Sequence, residues 1–356
     1  MMVVRKKITL VVGFALTIFL ASNTYSDAES IARISDSIGQ NVAGQSWDAV
    51  DAGYEELYSV YQSDYGVGSR QALAMAKVLG QWKIQSYRSE LLSKSPVQAI
   101  GNASEFYSLL ISEIEQQQGT DAADLIDPLY GQAQVEYHLL QIETKKPINS
   151  YRGTGPEITE EETCVDTEDR GGIVQCDYVE VPSRDYIQSQ LDAKSDATAV
   201  YWDAVASSLQ RIVAICKQNQ YLLDEAEALA HLGDYHLYRE EQSEAIASYS
   251  SAYQLLKSNA DPDAAAWMQR LFAAPTVVPS LSTSFPGAAP TPITTHGMTF
   301  SFNINSDGTA EDVEVISGDS RSNRDEQQST TRIISGAMFR PQFDDNGVVD
   351  SAAVEI

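Results

Sequence analysis

Apolar and polar residues alternate with a period of two near the carboxyl end of the chain. The alternating apolar positions are Met298, Phe300, Phe302 and Ile304. This period is typical of a strand with one buried face. Ser306-Asp307-Gly308 has the composition of a turn, and Val313 and Val315 resume the alternation, so a β-hairpin is predicted. A helix-compatible stretch at about 323–337 and a closing strand at 347–356 complete the order strand, strand, helix, strand.

Most of the preceding chain has apolar residues at helical spacing. The clearest early example is the series Trp47, Val50, Tyr54, Leu57 and Tyr61. Two helical regions are predicted, at 29–148 and 187–272, with a loop at 149–186 between them. The predicted fold class is therefore α+β and multidomain, with an irregular helical array followed by a small strand-strand-helix-strand domain.

One part of the second helical region resembles a tetratricopeptide repeat unit. The positions that carry the resemblance are Leu232, Gly233, Ala245, Tyr249 and Ala252. Small residues allow two helices to cross closely, and an aromatic side chain fills the groove beside the crossing. A single repeat does not bury its own face, so neighbouring helices are expected to cover the rest.

The pattern of residues 297–356, with its Asp-Gly turn and the element Phe339-Arg-Pro-Gln-Phe343, resembles the C-terminal domain of the TonB family of periplasmic energy transducers. The resemblance implies a domain that binds partners by strand pairing and performs no catalysis. The closing strand is then the candidate partner-binding edge. Its residues are Val348, Val349, Asp350, Ser351, Ala352, Ala353, Val354, Glu355 and Ile356. The alternative is that this strand only completes its own small sheet.

A proline-rich linker is predicted at 273–296. Its core, 275–292, contains five prolines among Ser, Thr and Ala, and extends to about 55 Å at most. TonB proteins carry a much longer spacer between the inner and outer membranes, so this chain departs from the family in reach. The favoured function is a periplasmic interaction protein that binds through its closing strand. Two alternatives stay open: a membrane-anchored energy transducer, and an envelope scaffold whose TonB-like fold has lost that role and whose helical array is the working surface.

The amino terminus has the features of a secretory signal peptide over residues 1–28. A basic segment, Arg5-Lys-Lys7, precedes an apolar run from Ile8 to Ala21, and Ser26-Asp-Ala28 fits a small-x-small cleavage site. The apolar run has about 14 residues, which is short of the roughly 20 needed to span a bilayer. An uncleaved anchor, as in TonB proteins, stays open as the alternative.

The chain is strongly acidic, with 24 basic and 50 acidic residues. Loss of residues 1–28 removes three basic residues and one acid, which leaves 21 against 49 and a net charge of −28. Such a charge repels nucleic acid and anionic lipid, so neither is an expected partner. Membrane contact is expected only if the N-terminal segment is retained.

The three cysteines suggest one disulfide bond in an exported protein. Cys164 and Cys176 share the segment predicted as a loop and flank Arg170-Gly-Gly172, so they are expected to pair. Cys216 lies on an apolar helix-like face and is predicted to be a buried free thiol. A cross-link between Cys216 and a partner is the alternative.

No motif for catalysis, metal binding or cofactor binding is predicted. Asn303, Asn305, Asp307, Gly308 and Glu314 imitate the spacing of a calcium-binding EF-hand loop, but their flanks alternate with a strand period where helices are required. The four histidines do not form a zinc-binding pattern. The sequence therefore favours a non-enzymatic protein of the periplasm of a Gram-negative bacterium. Its expected partners are other envelope proteins, among them an extended peptide of an outer-membrane receptor. The alternative location is the periplasmic side of the inner membrane.

Overall fold

The structure is a computed structural model. It describes residues 27–88, 91–146, 158–167, 173–182, 184–273, 275–278, 295, 297–317, 324–344, 347–349 and 351–356. These residues are mostly helical, and a small three-stranded antiparallel sheet lies in the C-terminal part. The predicted α+β class is confirmed at this level. The predicted signal peptide lies outside the described residues except for its last two positions.

Nine α-helices precede the C-terminal sheet within the described chain. They are α1 Asp27–Ala43, α2 Trp47–Tyr65, α3 Arg70–Arg88, α4 Pro96–Gln118, α5 Ile126–Lys145, α6 Arg184–Asn219, α7 Leu222–Tyr238, α8 Gln242–Ser258 and α9 Ala264–Met268. A 3₁₀ turn, Ala123–Leu125, leads into α5, and a π-helical turn, Gln269–Ala273, follows α9. No helix among the described residues is both long and apolar enough to cross a bilayer.

A local sequence signal accounts for the start of α4. Ser95 and Gln98 form a reciprocal capping box at the start of α4, and Pro96 occupies the first helical position. The apolar stripe of α2 packs in a core that it shares with α1 and α3. In this core Tyr54 is fully buried against Trp82 of α3. The indole of Trp82 donates to one oxygen of the buried Asp51 carboxylate at 3.0 Å, and Lys94 donates to the other at 3.1 Å, so the buried polar groups are paired.

The chain divides into two compact units. One comprises the described residues up to Tyr137 together with those from Ala204 onward, and the second comprises His138–Asp203. The second unit contains two antiparallel strands, β1 Ile158–Thr167 and β2 Ile173–Pro182. The prediction of a loop over 149–186 is therefore corrected, because ten residue pairs of this segment form a regular hairpin.

The hairpin places the two cysteines of the predicted disulfide in register. Cys164 lies directly opposite Cys176 in the strand pairing, and the Cα atoms of such pairs are typically about 4.5–5.5 Å apart. That separation lies within the range that a disulfide bridges. The sulfur atoms of both residues lie outside what the structure describes, so the bond stays a prediction.

Mass mapping of the protein isolated from an oxidising compartment is expected to find Cys164 linked to Cys176. Closing a loop of this size stabilises a protein by about 3 kcal/mol in the chain-entropy model. Cys216 is buried and unbonded, and burial raises the pKa of its thiol to about 12, so it is expected to resist alkylation in the folded protein. Two free thiols at 164 and 176, or a link from either to Cys216, would exclude this pairing.

The segment that resembles a repeat unit forms a tight antiparallel pair of helices, α7 and α8. Ala245, Tyr249 and Ala252 are fully buried, and Leu232 is buried as well. A Cβ atom on Gly233 would lie 2.5 Å from the Tyr249 ring, so only glycine allows that ring its position. The helix crossing is therefore built as the pattern predicts, while its assignment to a tetratricopeptide unit stays a prediction.

Replacing Ala245 with leucine is expected to lower the free energy of unfolding by about 1–3 kcal/mol, because the crossing has no room for the added atoms. Ser243 is the matched control position, since it is exposed on the same helix. Denaturant unfolding of both leucine variants measures the difference. Equal unfolding midpoints for Ala245→Leu and Ser243→Leu would show that the crossing is not tightly packed.

The C-terminal sheet domain, residues 297–356, follows the predicted order, with one short extra strand after the helix. Its elements are β3 Thr299–Asn305, β4 Ala310–Ser317, α10 Arg324–Gly336, β5 Phe343–Asp344, β6 Gly347–Val348 and β7 Ser351–Glu355. The sheet order is β4-β3-β7, and both pairings are antiparallel. The alternating residues from Met298 to Ile304 are all buried, as predicted, and they pack with Ile334 of α10 and with Phe339.

Two boundaries differ from the prediction. The closing strand predicted at 347–356 is divided, because β6 pairs with β5 whereas β7 pairs with β3. The first residues of the predicted linker 273–296 are also packed. Thr276 and Val278 are buried, and Val277 forms an isolated bridge to Phe339. Residues 279–294 lie outside the described part of the chain.

Candidate functional site

The candidate partner-binding strand lies at one edge of the C-terminal sheet. β7 pairs with β3 on one side, and among the described residues no strand pairs with its other side. Ile356 and Phe300 exchange both backbone hydrogen bonds at 3.1 Å. Because bonded pairs alternate along an antiparallel ladder, Val354 and Ala352 also bond inward to β3. The backbone groups of residues 351, 353 and 355 therefore face outward.

The opposite edge of the sheet is irregular. The pairing of β4 with β3 is interrupted by two register shifts, and Asp312 on β4 has a positive φ of 52°. Bulges of this kind are a common way for proteins to block pairing at a sheet edge. The register of β7 with β3 runs without a shift over five residue pairs. β7 is therefore the edge of this sheet with the geometry to accept another strand.

The outer face of the sheet carries acids on both of its edge strands. Glu314 of β4, Ser301 of β3 and Glu355 of β7 lie in one row across the three strands, and Glu311 pairs with the next residue of that face on β3. Val354 belongs to the opposite face and packs on the sheet core. A strand added to β7 would therefore lie beside the Glu355 carboxylate on its outer face and beside Val354 on its inner face, whereas Glu314 and Glu311 lie on β4, beyond β3.

The other residues of the candidate edge lie before the strand that pairs. Val348 belongs to β6, and Val349 donates its backbone N–H to the Gln342 carbonyl at 2.9 Å. Asp350 lies outside the described residues, and the pairing with β3 begins at Ser351. The structure thus shortens the candidate edge to residues 351–356.

The sheet domain is attached to the α7–α8 helix pair through the element Phe339–Phe343. Arg340 is buried and donates from Nε and Nη2 to both carboxylate oxygens of Asp234, at 2.9 and 2.7 Å. Its Nη1 donates to the Leu271 carbonyl at 2.8 Å. The hydroxyl of Tyr249 also donates to Asp234 at 2.8 Å. We call Arg340, Asp234 and Tyr249 the buried clamp.

Electrostatics within the buried clamp strongly favour the ionised pair. Burial alone would raise the pKa of Asp234, but the attraction of Arg340 and hydrogen bonds from His231 and Arg340 hold it well below its usual range. Burial raises the pKa of Tyr249 well above its usual range, and the adjacent Asp234 carboxylate adds to that shift. The fork of the guanidinium suits two-point contact with a carboxylate, a geometry that lysine does not provide.

Aromatic packing extends the attachment beyond the buried clamp. The ring of Phe343 stacks on Tyr253 with 5.8 Å between centroids, and it meets Tyr249 and Phe272 edge to face at 6.1 and 5.6 Å. Phe343 therefore joins the core of α7 and α8 from the sheet side. The sheet domain is held against the helices by both an ion pair and apolar contact.

The buried clamp was not predicted from the sequence. The signal was present on α7, where Ala226, Ala230 and Leu237 form an apolar stripe and Asp234 occupies a position on it. A carboxylate within a buried stripe requires a cation partner. The sequence offered no means to select Arg340, which lies 106 residues away, among the other basic residues.

The turn that imitates an EF-hand loop uses its oxygen atoms for the hairpin itself. Asp307 accepts from the backbone and hydroxyl of Thr309 at 2.9 and 2.6 Å, which lowers its pKa. Asn303 donates to Asp312 at 3.0 Å. Across the described ranges, no three His, Cys, Asp or Glu side chains are grouped as ligands for a metal ion.

A scan of the chain against protein-family models gave no match, and a search of curated proteins gave none either.

Proposed function

We propose that this chain is an exported, non-catalytic protein-interaction scaffold of the bacterial envelope, linked to envelope transport. It joins a helical array that contains a tetratricopeptide-like unit to a TonB-like C-terminal domain. Its working edge is β7, which binds an extended peptide of a partner by strand addition. The single observation that carries the proposal is the contrast between the two sheet edges in the described chain. β7 is regular and unpaired on its outer side, whereas the β4 edge is bulged.

Attachment to the helices supports a scaffold role. The buried clamp and Phe343 fix the sheet domain on α7 and α8, so the position of β7 relative to these helices is set before a peptide binds. Prior ordering reduces the entropy lost when a peptide binds. The outward-facing backbone groups of residues 351, 353 and 355 would supply the hydrogen bonds to the peptide.

Glu355 on β7 supports a peptide that carries a basic residue. It lies on the outer face of the sheet, where Glu314 and Glu311 of β4 add negative charge at the far edge, and the whole chain has a net charge of −26. Cross-strand pairs of opposite charge contribute about 0.2–1 kcal/mol each, and like charges oppose pairing. A lysine or arginine opposite Glu355 would therefore be favoured over an acid at that place.

Replacing Ala353 with proline is expected to abolish capture of the β7 partner while the protein stays folded, because the lost N–H faces outward. Ala352→Pro is the matched control, since its N–H faces β3 and its loss should loosen the sheet itself. Photo-crosslinking in cells from position 355, followed by mass spectrometry, measures capture, and thermal unfolding measures folding. If Ala353→Pro captured the same proteins as the parent, the result would show that β7 is not the binding surface, and the helical array would become the candidate.

The alternative is an energy transducer anchored in the inner membrane. A transducer must carry its C-terminal domain away from the anchor, whereas the buried clamp holds this domain on the helices. N-terminal sequencing of the protein from cells separates the two functions. A chain that begins near Glu29 and fractionates as soluble supports the scaffold, whereas a full-length integral membrane species supports the transducer.

A further inference from the structure

A cleft of about 570 Å³ lies among α3, α4, α5 and the start of α7. Its volume is in the range of small-molecule sites, which are mostly apolar with a few polar groups. Leu73 and Leu110 contribute apolar surface to its walls, and Asp124, Asp127 and Asp224 contribute carboxylates. The cleft includes no residue of β7 or of the buried clamp.

Tyr107 lines the cleft in a closely fitted position. Its side chain lies against Gly80 of α3 and Gly131 of α5, where a methyl group on either glycine would overlap the tyrosine. Only 5% of Tyr107 is exposed, so its ring is held in place between the two helices. The fitted ring therefore forms a fixed wall of the cleft, against which an apolar body can pack.

The carboxylates of the cleft are only partly neutralised. Lys77 pairs with Asp127 at 2.6 Å, whereas Asp124 and Asp224 form no ion pair within the part of the chain that the structure describes. Burial raises the pKa of Asp224, and the nearby charges of Glu227 and Asp127 raise it further. The charge of Arg270 opposes these effects on Asp224. The lining of the cleft carries three carboxylates against Arg70 and Lys77, so its net charge is negative and favours a cation.

The rim of the cleft adds an aromatic ring. Tyr221, immediately before α7, lines the cleft and is 43% exposed. Aromatic faces attract organic cations, and carboxylates beside them provide charge-assisted hydrogen bonds. Arg70 is the opposing feature, because it also lines the cleft and is exposed.

We infer that this cleft binds a small organic ammonium ion with an apolar body. Its ammonium group would lie by Asp224 and Asp124 under Tyr221, and its body would contact Leu73 and Tyr107. The inference is independent of the proposed role of β7, since the two sites share no residue.

Titration calorimetry of the full chain tests the inference with three probes of similar shape: 2-phenylethylamine, 2-phenylethanol and phenylacetate. The amine is expected to bind in a 1:1 ratio and more tightly than the alcohol, and phenylacetate is expected to bind least. Asp224→Asn should weaken binding of the amine about tenfold, the usual effect of losing one charge-assisted hydrogen bond. Asp36→Asn is the matched control, because Asp36 is an exposed acid on α1 outside the cleft.

Tyr107→Phe tests where the apolar body lies. It removes only the hydroxyl and keeps the ring against which the body packs, so the amine should bind about as tightly as it binds to the parent protein. The inference is overturned if phenylacetate or phenylethanol binds as tightly as the amine, or if millimolar amine gives no binding. Equal weakening by Asp224→Asn and Asp36→Asn would also overturn it, because bulk charge would then be the cause.

Discussion

Replacing Arg340 with methionine is expected to lower the free energy of unfolding by about 3–5 kcal/mol, because the Asp234 carboxylate would stay buried without its cation. The Leu271 carbonyl would lose its donor in the same variant. Chemical denaturation of the full chain measures the change. Arg332→Met is the matched control, since Arg332 is exposed on α10, and it should change stability by less than about 0.5 kcal/mol.

A double variant and the pH dependence test whether the unpaired Asp234 charge causes the loss of stability in Arg340→Met. Arg340→Met combined with Asp234→Leu should recover much of the loss, because no unpaired charge is left. The pKa of Asp234 is depressed in the folded protein, so the stabilisation from the pair is present above the unfolded pKa of about 3.9 and is lost as pH falls through the folded value. The difference between parent and Arg340→Met should therefore narrow in acid. A loss that is equal at neutral and acidic pH would point to packing and not to charge.

Replacing Gly308 with alanine is expected to cost about 2–5 kcal/mol, for two reasons that add. Gly308 has a φ of 81°, a left-handed conformation that costs other residues about 1–2 kcal/mol. An added Cβ would also lie 2.5 Å from the backbone oxygen of Phe339 and 2.8 Å from the side chain of Leu237. Overlap of this kind typically costs a further ~1–3 kcal/mol.

Gly297→Ala is the control that separates these two reasons. Gly297 has a similar φ of 77°, but nothing lies within 4 Å of the place that an added Cβ would occupy. Unfolding of both variants is measured under the same conditions. Gly308→Ala should be less stable than Gly297→Ala by the cost of the overlap, about 1–3 kcal/mol. Equal stabilities would show that the turn at Gly308 is not held against Phe339 and α7.

Strands and helices whose apolar residues recur at one constant spacing were predictable from the sequence. The buried face of β3 follows directly from four apolar residues at alternate positions, and the turn follows from Asp307-Gly308, where Gly308 has a positive φ. The crossing of α7 and α8 was also predictable, because Gly233 and Tyr249 are complementary in size. In each case a local pattern determines a local structure.

Features that depend on distant parts of the chain were not predictable in this way. The hairpin of β1 and β2 was predicted as a loop, because acids such as Glu160, Glu161 and Glu162 interrupt any alternation of apolar residues. The edge position of β7 was predicted, but the direction of its N–H groups required the register with β3. That register shows that position 353, and not 352, presents its backbone outward.

The buried clamp also determines how the molecule would carry a mechanical load. A pull on a peptide added to β7 would pass through the hydrogen bonds between β7 and β3 into the sheet core around Phe339. From there it would reach α7 through the two-point contact of Arg340 with Asp234. Within the described chain, the five-pair ladder of β7 with β3 is not reinforced by a side-chain ion pair of this kind. Tension on β7 would therefore reach the helices through the β7–β3 ladder and the buried clamp in series.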